Sequence, residues 1–382
     1  FTKFQRIEGH GVNMTAISEV SKLSWRAIEN DYTLDQYEEE LEKIRKKKRN
    51  YTPWQVAIGA GFACGGFCIQ FGCDWVAFLY ASIAAILGMR LRQVCNESGL
   101  NHYMGIAISA FVATIIAWAS TLLPAEWTST PWHPLLACAL FIVPGVPLIN
   151  FVDDMLDNYI QVGIVRAVNT LLMVAAMAFG IAFAVKLCHI ENFFPTISMV
   201  PHHQYWEYAI AAAISAMGFS MIFNIQRRLL WVVAIGGIIA VCTRNFVNLG
   251  PSTDNIGLDM GLVIGSFSGA VLVSLIAIKA VHWFHVPNHV LTIPSVIPMI
   301  PGVLMYRMLF GIININVQSI DQVTPLMKAI ESGVNSGLVI MCIALGVAIP
   351  NIFGRRFIAS SKNKRLAELL KERKARGKFV EW

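Results

Sequence analysis

The chain has 382 residues, of which 55% are hydrophobic and 14% charged, with a net charge of +6 and a mean hydropathy of +0.56. Soluble domains carry about a quarter charged residues, so an ordinary soluble domain is excluded and the class is an all-α polytopic membrane protein. The basic residues cluster at the chain ends. That fits membrane topology and excludes a nucleic-acid partner, which would need a basic face with base-reading or stacking groups.

Residues 1–50 are polar and read as a cytoplasmic helical segment. The chain begins at Phe1 with no signal peptide, and further sequence is expected ahead of it. Thr33-Leu34-Asp35-Gln36 has the form of a capping box, a Thr N-cap with Gln at the third helical position. Glu39/Lys43 and Glu42/Lys46 follow at the i,i+4 spacing of an exposed helix. Lys46-Lys47-Lys48-Arg49 then precedes the first apolar run.

Apolar windows of about twenty residues recur from Trp54 to Phe353, each long enough for a hydrocarbon core of about 30 Å. Ten spans are predicted, at 54–72, 74–95, 102–122, 134–152, 159–187, 205–224, 229–249, 256–280, 288–313 and 329–353. The positive-inside rule places Lys46–Arg49, Arg90 and Arg92, Arg227 and Arg228, and the tail Arg355–Lys378 on the cytoplasmic side. Both termini are then cytoplasmic, with Lys186 and Arg244 as exceptions. The tail carries ten Lys/Arg against three Glu and reads as an anchor with affinity for anionic lipid. The eight cysteines lie mostly in apolar segments without a CxxC, as small buried hydrophobes do.

The two halves repeat. MGIAISAFVATII (104–116) matches MGLVIGSFSGAVL (260–272), FIVPGV (141–146) matches PMIPGV (298–303), and AVNTLLMVAAMAFGIAF (167–183) matches GVNSGLVIMCIALGVAI (333–349). The offsets of 156, 157 and 166 keep the order with one insertion. Five spans per half is an odd number, so the second copy enters from the opposite side: two five-helix inverted repeats, as in many secondary transporters. The expected organisation is the helical segment 1–50, repeats 51–190 and 200–355, and a basic cytoplasmic tail 356–382.

Each half is interrupted at the same place, by Pro144-Gly145 in span four and Pro301-Gly302 in span nine. Proline removes a helix hydrogen bond, and the freed backbone groups need protein, water or substrate. Paired Pro/Gly interruptions therefore mark a candidate substrate site; the alternative is a kink that serves packing. Asp154 lies toward the cytoplasmic end of span four, with Arg166 two turns into span five. Arg307 lies just past Pro301, and Glu331 begins span ten. Intramembrane charges call for named partners, so Asp154–Arg166 is expected to gate the cytoplasmic mouth and Arg307–Glu331 the outer mouth. Interfacial snorkelling is the alternative. Asn169 and Asn335 match across the repeat and either bind substrate or bridge helices. Asn150 aligns with Arg307. Asp259, in the outer part of span eight, is a candidate for an ammonium group or a proton. Gly61-x-x-x-Gly65 and Gly261-x-x-x-Gly265-x-x-x-Gly269 read as close-packing stripes. His282-x-x-His285 lacks further ligands nearby, so no metal is expected. Walker A, dinucleotide and nucleophile-elbow motifs are absent from the sequence, so neither an enzyme nor an ATP-driven pump is expected.

VPGVPLINFVDDMLDNYIQVGIVR (143–166) resembles the signature of the N-terminal half of the threonine/serine exporter family, and IPSVIPMIPGVLMYRMLFG (293–311) that of its C-terminal half. GHGVNMTAISEVSKLSWRAIEN (9–30) is similar to the cytoplasmic stretch before the family's first span. The resemblance covers nearly the whole chain and is to the fused form, since in some bacteria the halves are separate proteins. It implies export of threonine and serine across the bacterial inner membrane, driven by the proton motive force and without a cofactor. The split members are associated instead with dicarboxylate (succinate) export. The match carries over Pro144, Gly145, Pro147, Asn150, Asp154 and Arg166, then Pro301, Gly302 and Arg307; Asp153 is not required by it. The expected partners are a small amino-acid or dicarboxylate substrate and the lipid bilayer, with a homo-oligomer allowed. Arg166 and Arg307 suit a dianion, whereas Asp154 and Asp259 suit a zwitterion. A channel is the second alternative, and a repeat within one chain argues against it.

Overall fold

The structure is a computed structural model and describes residues 11–124, 126–190, 203–251, 256–313 and 323–375. Among these residues the ordered elements are all helical. The segment 191–202 between the halves and the tail beyond Ala375 lie outside the described residues.

Two polar helices come first. Helix α1 (Met14–Asn30) starts at Asn13, whose side chain accepts the Ala16 N–H, and ends at Asp31 in the left-handed conformation. Helix α2 (Leu34–Lys46) opens with the capping box expected from its sequence. The Gln36 N–H donates to Thr33 Oγ1 at 3.3 Å and the Thr33 N–H to Gln36 Oε1 at 3.0 Å. Lys43 pairs with Glu39 at 2.9 Å and Lys46 with Glu42 at 3.7 Å.

The membrane part contains α3 (Pro53–Gln70), α4 (Trp75–Glu97), α5 (His102–Trp118), a short α6 (Pro134–Ala137), α7 (Gly145–Leu156) and α8 (Ile160–Leu187). The second half contains α9 (Tyr205–Ile222), α10 (Leu230–Asn248), α11 (Leu262–Phe284), α12 (Asn288–Val296), α13 (Gly302–Ile313) and α14 (Val323–Ala375). Among the described residues, six helical stretches are long and apolar enough to cross a membrane: 75–97, 102–122, 160–187, 227–248, 262–281 and 326–354. A seventh is the pair 288–299 and 302–309, bent by 55° at its break. Every predicted span coincides with helical structure, but α3, α9 and the broken α6–α7 do not reach that length and apolarity. For α3 the reason is packing: most of its residues are buried against protein, so glycines replace the large apolar side chains a lipid face would carry.

Three boundaries differ from expectation. Span 134–152 is broken into α6, a tight 3₁₀ turn at Leu140–Ile142 and α7. Span 256–280 begins only at Leu262, because Asp259 and Gly261 take positive φ (54° and 86°). The last span does not stop near 353 but runs on as one helix to Ala375.

The packing order is the same in both halves: α3 on α4, α4 on α5, α5 on α8 and α7 on α8, then α9 on α10, α10 on α11, α11 on α14 and α13 on α14. Helices α3 and α9 join the halves, while α7 reaches α14 and α13 reaches α8. The small-residue stripes sit where close approach needs them. A Cβ on Gly66 would lie 2.6 Å from the Ala211 carbonyl oxygen of α9, and on Gly65 2.7 Å from the Phe78 ring of α4. Gly265 and Gly269 lie against the Arg244 and Ala240 carbonyls of α10, whereas Gly261 precedes the helix.

Helices α1 and α2 define one end, here called proximal. They dock on the α9–α10 turn, where Asn224 is buried at φ 56°. Its amide nitrogen donates to Asn13 Oδ1 (2.9 Å), its Oδ1 accepts the Asn50 N–H (2.8 Å), and its carbonyl accepts the Thr15 hydroxyl (2.5 Å). Met14 of α1 is buried and donates its N–H to the neighbouring Phe223 carbonyl at 3.0 Å, and Leu23, further along α1, is fully buried. The distal end carries the α3–α4 turn, the 119–133 loop and the start of α9. There Asp74 caps α4 and also accepts from Thr128 and Ser129. Burial would push its carboxyl up, but the Ala77, Thr128 and Ser129 donors outweigh this and hold it below the usual carboxylate range.

Candidate functional site

The two Pro-Gly interruptions fold into the same local structure. In the first, the Val143 N–H donates to Leu140 O, Gly145 N–H to Val143 O and Leu148 N–H to Pro144 O, at 3.1, 2.8 and 2.9 Å. In the second, Ile300 donates to Ile297, Gly302 to Ile300 and Met305 to Pro301, at 2.9, 2.9 and 3.2 Å. Every bond recurs at an offset of 157 residues. Each break starts a new 12-residue helix, α7 or α13, whose first N–H groups lack intrahelical acceptors.

The breaks also touch each other reciprocally. A Cβ on Gly145 would meet Ile300 at 2.8 Å and Ile297 at 3.2 Å; a Cβ on Gly302 would meet Leu140 and Val143. Phe67 and Phe219 close the junction, and the space left inside is about 10 Å³. That is too little to hold a substrate, so the centre is shut in this state. Pro144 and Pro301 are both buried there. Tyr306, beside Arg307, is 1% exposed and reaches into the first half, where its hydroxyl donates to the Met177 sulfur at 3.4 Å. Nothing in the sequence pattern marked Tyr306, since a lone tyrosine on an apolar helix reads as core.

The charged residues divide. Arg166 Nη1 lies 2.9 Å from Asp154 Oδ2, both side chains about three-quarters buried, so the expected pair forms between α7 and α8 at the proximal end. The contact is one of charge, since Asp154 Oδ2 is out of line for a hydrogen bond. Asp153 faces the other half, with His289 Nε2 of α12 at 3.9 Å. No sequence signal singled out His289.

The expected outer pair does not form. Among the ion pairs of the described residues none joins Arg307 to Glu331. Arg307 is half-buried on α13, while Glu331 is exposed. Ala329, buried, and Gly333, packed on Met308 of α13, define the inward face of α14. Glu331 lies two residues from each, about 200° around the helix. Asn335, one turn on from Glu331, shares that side and is partly exposed. Its counterpart Asn169 accepts the Tyr103 hydroxyl at 2.7 Å and so bridges α5 and α8. Asn150 is partly buried on α7. Asp259 is not in a span: it is exposed in the loop before α11, its N–H donating to Leu249 O at 3.0 Å. His285 is the left-handed C-cap of α11, its N–H donating to Val281 O at 2.9 Å.

Residues 1–188 match the family described as "Putative threonine/serine exporter", and residues 208–353 match "Threonine/Serine exporter, ThrE". Among curated proteins, the chain is 28% identical over 187 residues to "Probable succinate transporter subunit YjjP" of Klebsiella aerogenes, which covers 49% of this chain and 71% of that one. The protein of the same name from Escherichia coli K12 is 27% identical over 186 residues, covering 49% and 72%. No solved structure matches the chain.

Proposed function

Because the chain belongs to the threonine/serine exporter family, a multi-pass membrane exporter, we propose that it moves small polar amino acids outward by proton-coupled alternating access. The reading includes a bacterial inner-membrane location with both termini cytoplasmic, so the proximal end is the cytoplasmic one. It also takes the two halves as inverted five-span repeats, with α3, α9 and α6–α7 completing the ten. The observation that carries it is the reciprocal meeting of the two breaks. Two half-helices start where the halves abut, and helix N-termini favour anionic groups such as a substrate carboxylate. The seam between repeats is where a transporter opens alternately to either side.

Within this reading Pro144, Gly145, Pro301 and Gly302 form the substrate junction, Asn150 and Arg307 line its approaches, and Asn169 and Asn335 reach substrate only if α8 and α14 turn in another state of the cycle. Asp154–Arg166 holds the cytoplasmic mouth of the closed state. Glu331 and Asp259 belong to the outer approach rather than to a formed gate. The proton gradient supplies the energy, without a cofactor. A second reading is favoured by the names of the relatives and by the two cations Arg166 and Arg307: export of a dicarboxylate such as succinate.

Efflux from proteoliposomes loaded with labelled threonine, serine or succinate, with and without a pH gradient, tests both. We expect threonine and serine to leave faster when the gradient is present. Movement of succinate alone selects the second reading, and movement of none removes both.

A further inference from the structure

Among the described residues, a titratable contact that the reading above does not use joins the halves at the distal end. His203 and Glu207, at the start of α9 in the second half, are mostly buried, with side chains 9% and 16% exposed. His203 Nε2 lies 2.8 Å from the carbonyl oxygen of Cys73, in the α3–α4 turn of the first half. His203 Nδ1 lies 3.0 Å from Glu207 Oε2. A carbonyl oxygen only accepts, and an ionised carboxylate only accepts. Both ring nitrogens therefore need a proton to make both bonds, which only the imidazolium has. The neutral ring must give up either the bond to Cys73 or the bond to Glu207.

Among the described residues, several groups face this contact. From α9, Glu207 Oε2 also takes the Gln204 N–H at 3.1 Å. From α4, the Trp75 side chain lies within reach of Glu207. The adjacent Asp74 carboxylate is already held by Ala77, Thr128 and Ser129. The Tyr208 ring stands edge-on to His203 at 5.9 Å, and Arg244 of α10 acts on Tyr208. Gln70, at the end of α3, is buried and neutral.

We propose that His203 and Glu207 form a proton-dependent latch that ties the α3–α4 turn to α9 and closes the distal mouth when His203 is protonated. Its ligand is the proton, taken from the side of the membrane that the distal end faces. The outer closure then lies here rather than at Arg307 and Glu331. The part it plays in transport rests on the exporter reading; its existence does not.

Hydrogen exchange at peptides spanning 71–77 and 203–208, corrected for intrinsic rate, is to be measured in the full chain at pH 6 and pH 8. We expect protection to fall roughly tenfold on going to pH 8 in the wild type and to change little in His203→Gln. Glu207→Gln keeps the helix cap, because Gln serves at that position, so it removes the charge without removing the fold; it should flatten the pH response in the same way. Protection independent of pH in the wild type, or equally dependent on pH in both variants, overturns the latch. In proteoliposomes the ratio of flux at external pH 6 to that at pH 8 should move toward one in Glu207→Gln. An unchanged ratio overturns the latch's part in transport and leaves the exporter reading standing. A wild type that moves no threonine, serine or succinate overturns the exporter reading alone, since the exchange result still decides the latch.

Discussion

Asp154 and Arg166 were legible in the sequence because twelve residues and one turn separate them. Helices α7 and α8 are consecutive and antiparallel, so the chain itself brings the two together. Arg307 and Glu331 also lie on consecutive, packed helices, but the rotation of α14 sent Glu331 away from α13. The Asp154–Arg166 contact is partly exposed, so its loss should cost only about 1 kcal/mol of stability. Its effect on transport should be larger. Asp154→Arg or Arg166→Asp should each lower flux at least about tenfold, and the double swap should recover part of it. Efflux rates of the three variants measure this; a double swap no faster than either single variant removes the pair from the gate. The single Arg166→Asp variant also has a local cost: it places a carboxylate beside Asp154, which already feels the negative charges of Asp153 and Asp157.

At the scale of elements, the capping box of α2 was readable because a cap is a local event of four residues. The docking of α1 was not, because its partner Asn224 is about 210 residues away in sequence. Bonds with Asn13, Thr15 and Asn50 converge there at a residue held in the left-handed conformation. Asn224→Ala should destabilise the docked segment by about 2–4 kcal/mol, combining lost buried hydrogen bonds with strain at positive φ. Asn224→Gly should recover about 1 kcal/mol of that, since glycine removes the strain but not the lost bonds. Thermal melts give the order of the three proteins, and limited proteolysis at α1 shows whether the segment has come off. If alanine and glycine variants behave alike, the φ argument is wrong.

For the molecule as a whole, the central junction is the feature with most consequence. Gly302 fits under Leu140 and Gly145 under Ile300, so a larger side chain at either glycine forces the halves apart. Gly302→Val should lower stability by about 1–3 kcal/mol through overpacking. Leu140→Ala in the same chain should return part of it by vacating the space. If Leu140→Ala instead adds its own cost in full, the two residues do not oppose each other and the junction is misplaced. The same pair read in the efflux assay should show flux lost in the single variant and partly regained in the double, because the junction must close as well as open.

By itself the sequence determined the class, the helical elements, the duplication and the two breaks. Each of these is written in composition, in periodicity or in proline and glycine, which act on their own neighbours. The family resemblance came the same way, from contiguous motifs. Only the tertiary structure decided which side chains meet across elements. It brought the two breaks together, left Glu331 facing outward, put Asp259 in a loop, and set His203 against a carbonyl of the other half. Those outcomes depend on how each helix is rotated and where its ends fall, and no local pattern specifies either.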